Sequence, residues 1–263
     1  MMKQISTLRI SLYLAVLVLS LLPARRALAD LYCEITSQEE VFGFRGRPMQ
    51  SIKRERVFIK ENLVKVYDEM RNETWIYNLD IKSFLKIDHR RKAYSEGSFE
   101  ELKSLIEARK KKELADLDHM LTLSPGRSEE DRERRMVLIE GRKKLLTLGK
   151  ATFRLKKTGE KMKIGEKSCR LIKVYLEKEL YEKVWVTDEI KPGEEYSDFL
   201  KLMSEIDPPI YSPYLNIKGF PMRTELLYKG LEQTIEVKMV TEGPVPITEF
   251  LIPQGLKKIA PSL

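Results

Sequence analysis

Between Leu31 and Ser95 the chain is a succession of short strand-like runs, LYCEIT, RERVFIK, LVKVYD, ETWIYN, SFLKID and KAYSE, with gaps of only a few residues between them. Val, Ile, Tyr, Phe and Trp populate the runs, while Asn, Asp, Glu and Arg populate the gaps. A parallel crossover consumes a dozen residues or more, so neighbours joined this tightly must run antiparallel. The first third of the chain is therefore expected to be an antiparallel meander.

At Ser98 the apolar period changes from about two to about three and a half. SFEE is a capping box, with Ser98 as N-cap and Glu101 three residues on, and Phe99, Leu102, Ile106, Leu114, Leu117 and Leu121 follow at helical spacing. LSPG ends this helix; Ser128 with Asp131 opens a second one, striped by Met136, Ile139 and Leu146 and stopped near Gly149. Residues 98–149 thus read as a charged helical hairpin inserted into a strand-rich domain spanning 30–263. Its apolar stripes are narrow beside its charged faces, so the hairpin is expected to lie on the sheet without forming its core. A turn from Ser95 to Ala151 could then replace it.

Strands resume with TFRLKK, KMKI, CRLIKVYLE and KVWVTD; the last two form a hairpin turning near EKEL, with Trp185 and Thr187 on one face and Val184 and Val186 on the other. A third helix is expected over Gly193 to Ile206, ending before Pro208 and Pro209, followed by strands MRTELLYK and TIEVKMV and a closing ITEFLIP. No internal repeat stands out. The fold class is α+β: a curved antiparallel sheet carrying the helical hairpin and one further helix.

The N-terminus has an address. Lys3 and Arg9 precede an apolar run from Leu12 to Leu22, broken only by Ser20 and closed by Ala27-Leu28-Ala29, which reads as a signal peptide over residues 1–29 with cleavage before Asp30. The run is well short of the ~20 residues a membrane span needs. Acylation of Cys33 is disfavoured by the bulky Tyr32 before it. The expected location is the periplasm, peripheral to the envelope. Removing the leader takes away four cations and no acids, so the formal charge of +8 falls to +4. No basic run is interleaved with stacking aromatics, so nucleic acid is not an expected partner.

Catalytic chemistry leaves little trace. The two histidines, His89 and His119, have no partner at metal-ligand spacing, and the glycines form no phosphate-binding motif. No enzyme activity, metal or cofactor is expected. Two cysteines in an exported chain, Cys33 in the first strand and Cys169 in a central one, are a candidate disulfide. Two buried thiols packed as small apolar residues are the other reading.

The stretch IGEKSCRLIKVYLEKELYEKVWVTDEI, with a glycine and a cysteine followed by Trp-x-Thr-x-acid, resembles the hallmark of an exported bacterial family of unknown function, the DUF4412 family. GFPMRTEL and FLIPQGLKKI extend the resemblance. It implies a LolA-like half-barrel, as in lipoprotein carriers, with helices plugging a concave face that often holds acyl chains. A helical insertion rich in Lys and Arg, and Cys33 itself, depart from the family pattern. Two functions follow as expectations. In the first, a non-enzymatic half-barrel binds a lipid or acyl chain by burial alone, with Trp75, Tyr77, Leu85, Trp185, Met222 and Leu226 lining the cavity. In the second, the core is filled and the charged hairpin docks an envelope protein or the anionic membrane surface.

Overall fold

The computed structural model describes residues 30–42, 48–122, 128–149 and 151–262. The leader expected over residues 1–29 lies outside them. One twelve-stranded sheet, open and curved, runs in the order β12-β6-β5-β4-β3-β2-β1-β11-β10-β9-β8-β7. All its pairings are antiparallel except the two-residue β12 (Lys257–Lys258), which lies parallel to β6 (Ala93–Ser98).

The expected meander is present, with a regularity the sequence reading missed. Strands β3 (Leu63–Asp68), β4 (Glu73–Asn78), β5 (Ser83–Asp88) and β6 are each six residues long and repeat every ten. The signal is an Asx at the end of three of these strands. Asp68 Oδ1 accepts from the Arg71 amide (2.9 Å), Asn78 Oδ1 from the Asp80 amide (3.1 Å), and Asp88 Oδ1 from the Arg91 amide (3.0 Å). Each side chain supplies the turn's first hydrogen bond, and Asn72, Lys82 and Lys92 close their turns at positive φ. Side chains with no shared sequence occupy the same turn, which hides the ten-residue period.

β1 (Leu31–Phe42) lies in the middle of the sheet, between β2 (Pro48–Lys60) and β11 (Gln233–Glu242). The chain meanders outward from β1 to β6, crosses to the far edge at β7 (Phe153–Ile164), and returns through β8 (Lys167–Leu176), β9 (Glu179–Thr187) and β10 (Phe220–Leu226) onto β11. TFRLKK and KMKI, read as two strands, are one: β7 continues through a bulge between Lys157 and Lys161. The β8–β9 hairpin turns at Glu177 and Lys178 as expected, with Glu177 at positive φ.

The crossover is made by α1 (Phe99–Thr122) and α2 (Glu129–Thr147). Both expected N-caps form: the Ser98 amide and Glu101 Oε2 bond at 2.8 Å, the Glu101 amide and Ser98 Oγ at 3.2 Å, and the Asp131 amide and Ser128 Oγ at 3.1 Å. The expectation that the hairpin only lies on the sheet is corrected on two counts. First, β6 and β7 stand at opposite sides of a twelve-stranded sheet; at about 4.8 Å per strand, no turn from Ser95 to Ala151 could span it, whereas a helix rises about 1.5 Å per residue and can. Second, both helices contribute to the core: Phe99 and Leu102 are buried with Phe84, Met203 and Ile206, and on the second helix Ile139 of the expected stripe is fully buried, whereas Met136 is exposed and Leu145, beside the expected Leu146, packs with Ile172, Val174 and Val184. A narrow stripe suffices because α2 approaches closely. A Cβ on Gly141 would stand 2.4 Å from the Lys229 carbonyl oxygen, and one on Gly230 2.3 Å from Val137 Cγ1.

α3 (Glu194–Ile206) has the predicted limits, with Gly193 as its N-cap, and leads into the single turn α4 (Pro208–Tyr211) and a 3-10 helix (Ser212–Asn216). Phe199 of α3 packs on Tyr77 of β4 with ring centroids 5.5 Å apart, fixing α3 over the same sheet face as α1. On the other face Ile76 is covered by Val245 and Phe250 of the C-terminal segment. The closing ITEFLIP is a 3-10 turn (Ile247–Phe250) with its flank. No helix among the described residues is long and apolar enough to cross a membrane.

Candidate functional site

The six residues expected to line one cavity are separated. In the bulge-free ladders of β3 to β6, Val64, Tyr77 and Phe84 stand opposite one another and share a face, as do Val66, Trp75 and Lys86. Trp75 lies against Tyr77 (6.3 Å) and Phe84 (5.8 Å), with the Lys86 ammonium 5.2 Å from its ring; Tyr77 also meets Phe99 at 6.3 Å. Both are core residues beneath α1 and α3. Leu85 pairs with Ile76 and so points to the opposite face, under the C-terminal segment. Trp185 and Met222 pack in the cluster that holds Cys33 and Cys169. Trp185 is opposite Arg223 and Leu226 opposite Glu182, so these two candidates also face opposite ways. Of the six, Leu226 borders a cleft of about 280 Å³ between the helical hairpin, the end of β1 and the start of β11. The helices cover one sheet face, as the resemblance implies, but Trp75 and Tyr77 beneath them are packed and line no cavity with the other candidates.

Cys33 and Cys169 are buried free thiols in one apolar cluster, the second of the two readings the sequence left open, and the candidate disulfide is not formed. Burial pushes the Cys33 thiol up to about 12 and also raises that of Cys169, so each is held neutral and packs as a small apolar group. Among the described residues no group of three or more His, Cys, Asp or Glu is gathered as a metal site.

Two further clefts border the 3-10 helix. One, of about 400 Å³, lies between α3, the loop after β9 and the start of β10. Tyr196 and Leu200 form one ridge of its α3 wall, and Ser197 and Lys201 the next, each pair at i, i+4. Ile190 and Pro192 line it from the loop, Tyr214, Leu215 and Ile217 from the 3-10 segment, and Pro221 from β10. Arg170 braces its base, bonding the Asp188 carboxylate and donating from Nη2 to the Lys218 carbonyl oxygen at 2.7 Å. Gly219 lets the chain turn there: it sits at φ +101°, and a Cβ on it would lie 2.8 Å from the Thr187 carbonyl oxygen. At the rim, Lys201 is paired with Asp198 at 2.8 Å, whereas the Lys191 ammonium is in no ion pair among the described residues. A second cleft, of about 380 Å³, lies on the far side of the 3-10 helix between β7 and the end of α3. Leu215 lines both.

Beneath the 3-10 helix a carboxyl is buried in the sheet. Glu182 is 5% exposed; Tyr214 donates to its Oε1 at 2.6 Å, and Thr224 bonds it from β10. Loss of hydration pushes this carboxyl up to about 7, against the opposing effect of the two hydroxyls. The same burial, with Glu182 beside it, holds the Tyr214 phenol far above its ordinary value.

Sequence reasoning missed this site because PPIYSPYLNIKGFP has neither a strand nor a helical period. Its prolines and glycine mark an irregular segment, which is the signal that was there to read. Glu182, in phase with Val184 and Val186, was a second.

No protein-family model matches the chain. No curated protein matches it. Among solved structures it is similar to an uncharacterized conserved protein from Thermus thermophilus, at 8% identity and a TM-score of 0.44, covering 94% of this chain and 99% of that one. It is also similar to PNGF-II in its C2 crystal form, at 14% identity and a TM-score of 0.36, covering 89% of this chain but 31% of that one. The chain thus spans about a third of PNGF-II.

Proposed function

We propose that this is an exported, non-enzymatic binding protein that holds an amphipathic ligand, a lipid or a lipoprotein acyl chain, in the cleft between α3 and the 3-10 helix. The carrying observation is the composition of that 400 Å³ space, where Leu200, Leu215, Ile217 and Pro221 form apolar walls and Lys191, in no ion pair among the described residues, stands at the rim. Its volume falls within the range of about 300–1,000 Å³ usual for small-molecule sites. Each methylene buried there contributes about 0.8 kcal/mol, so a short stretch of acyl chain with its anionic head beside Lys191 suffices for binding without any catalytic group. The LolA-like half-barrel and the kinship with the DUF4412 family belong to this proposal. The site, however, is at the edge of the helical plug and not on the sheet beneath it.

The rival reading, a filled-core envelope module whose charged hairpin docks a protein or an anionic membrane, has less in its favour. Many of the hairpin's cations are already engaged: Arg134 with Glu40 (2.6 Å), Arg142 with Glu113 (2.6 Å), Lys143 with Asp118 (2.9 Å) and Lys110 with Asp207 (3.0 Å). Calorimetric titration with dodecanoate tests the proposal. Saturable binding with a negative heat-capacity change, lost in Leu200→Glu, is expected. Absence of binding by a folded protein, or binding indifferent to Leu200→Glu, would refute it.

A further inference from the structure

β7 leaves one edge of the sheet open. It is the last strand in the sheet order, and among the described residues its backbone pairs only with β8. The bulge between Lys157 and Lys161 divides it, so residues 153–157 form a regular stretch of their own. A Cβ on Gly159, within the bulge, would meet nothing within 4 Å, so space beside the strand is open there. Phe153 and Leu155, two residues apart and therefore on one face, line the 380 Å³ cleft together with Pro213 and Leu215. Glu205 at the end of α3 is the acid in that lining.

The charges of the neighbouring strands run out to this edge in register. Lys156 stands opposite Lys173, Lys173 opposite Lys183, and Lys183 opposite Glu225. Like charges directly opposite one another repel, and the two inner lysines are each answered by an acid: Lys173 by Glu160 at 3.1 Å and Lys183 by Glu225 at 3.6 Å. Lys156, at the outer end of the row, is exposed and in no ion pair among the described residues. The same holds for Lys157, Lys161 and Lys163, while the Arg154 guanidinium lies over the Tyr175 ring, 4.9 Å from its centroid. We propose that the open edge of β7 takes an extended acidic segment of a partner protein as an added strand, with an acid opposite Lys156 and an apolar side chain in the 380 Å³ cleft.

A strand laid on the edge sits about 4.8 Å from β7 and pairs its main chain with the unused amides and carbonyls there. Main-chain bonds supply affinity in such additions, and pockets for alternate side chains supply specificity. Here the two faces ask for different residues. The face of Arg154 and Lys156 selects acids, and the face of Phe153 and Leu155 selects apolar side chains that reach the cleft. Because Glu205 already stands in the cleft, the acids of the occupant belong along the strand and not within that space. A second copy of this chain does not fit: an antiparallel pairing centred on Leu155 would set Arg154 opposite Lys156 twice. Lysines along an open edge likewise discourage neutral and basic strands, so the charge that protects the edge also chooses its partner.

Fluorescence anisotropy of the full chain with a labelled peptide, Glu-Leu-Glu-Val-Glu-Leu-Glu, tests this. Saturable binding is expected, weakened about tenfold by Lys156→Glu and less by Lys163→Glu, which lies beyond the bulge. Two further peptides, N-methylated at the odd or at the even residues, keep the charge but block alternate amides. Only one of them should lose binding, since alternate residues of a strand face its neighbour, and this comparison requires no variant of the protein. Both methylated peptides binding like the parent, or both failing equally, would overturn strand addition. So would a folded protein that binds no peptide, or one that binds phosphatidylglycerol vesicles and no peptide, which would assign the lysine row to a membrane surface. The assay contains no lipid in the peptide arm, so its outcome does not depend on the ligand reading of the first cleft.

Discussion

Replacing Glu182 by Gln should flatten the dependence of folding stability on pH. In the unfolded chain this carboxyl titrates near 4.5, and in the folded protein near 7, because burial disfavours its charge. Between those values the folded state binds more protons than the unfolded state, so stability falls as pH rises through the window. The proton-linked stabilisation is fully present below about pH 4.5 and lost above about pH 7. At about 1.4 kcal/mol per pH unit, the two and a half units amount to about 3 kcal/mol. Glutamine keeps the acceptor for Tyr214 and cannot ionise. Its extra amide hydrogens carry a cost that does not vary with pH, so the informative quantity is the slope and not the offset. Urea unfolding of both proteins from pH 4.5 to 8 should show the variant gaining on the wild type by about 3 kcal/mol across the range. Parallel profiles would refute the claim that Glu182 is buried without a compensating cation.

Three further outcomes are expected. Replacing residues 99–149 by a short turn should abolish cooperative folding, measured by circular dichroism and thermal melting, because the two strands it would join lie on opposite sides of the sheet; a folded, strand-rich product would contradict the topology. Gly141→Ala should destabilise by about 1–3 kcal/mol in chemical denaturation, since its Cβ would lie 2.4 Å from the Lys229 carbonyl oxygen. Cys33 and Cys169 should resist alkylation in the folded protein and react only after unfolding, as mass spectrometry of the labelled chain would show; rapid labelling under native conditions would contradict their burial.

Local features of the fold were legible because local chemistry dictates them. The Ser98 and Ser128 caps, the limits of α3 set by Gly193 and Pro208, and the β8–β9 turn each depend on side chains within a few residues of one another. What could not be read is where the pieces go. Nothing in LYCEIT says that β1 sits mid-sheet and receives both β2 and a strand two hundred residues later, so the helical hairpin looked like an insertion when it is the crossover. Face assignment failed for a related reason. Alternation holds from β3 to β6, where it correctly groups Trp75 with Tyr77 and would have excluded Leu85, but β1, β7 and β10 carry register shifts that break it. The aromatic residues taken for a cavity lining were in fact the large apolar side chains that make a core. The cleft itself is built on aperiodic chain, where pattern reasoning has no purchase.

The most direct test of the central claim is to purify the protein under native conditions, extract it with organic solvent and identify the released molecules by mass spectrometry, beside a Leu200→Glu variant prepared in the same way. A lipid or acylated molecule recovered at about one per chain from the wild type, and depleted from a variant that remains folded, is the result the account predicts. An extract that contains no such molecule, or the same molecule in equal amount from both proteins, would contradict it.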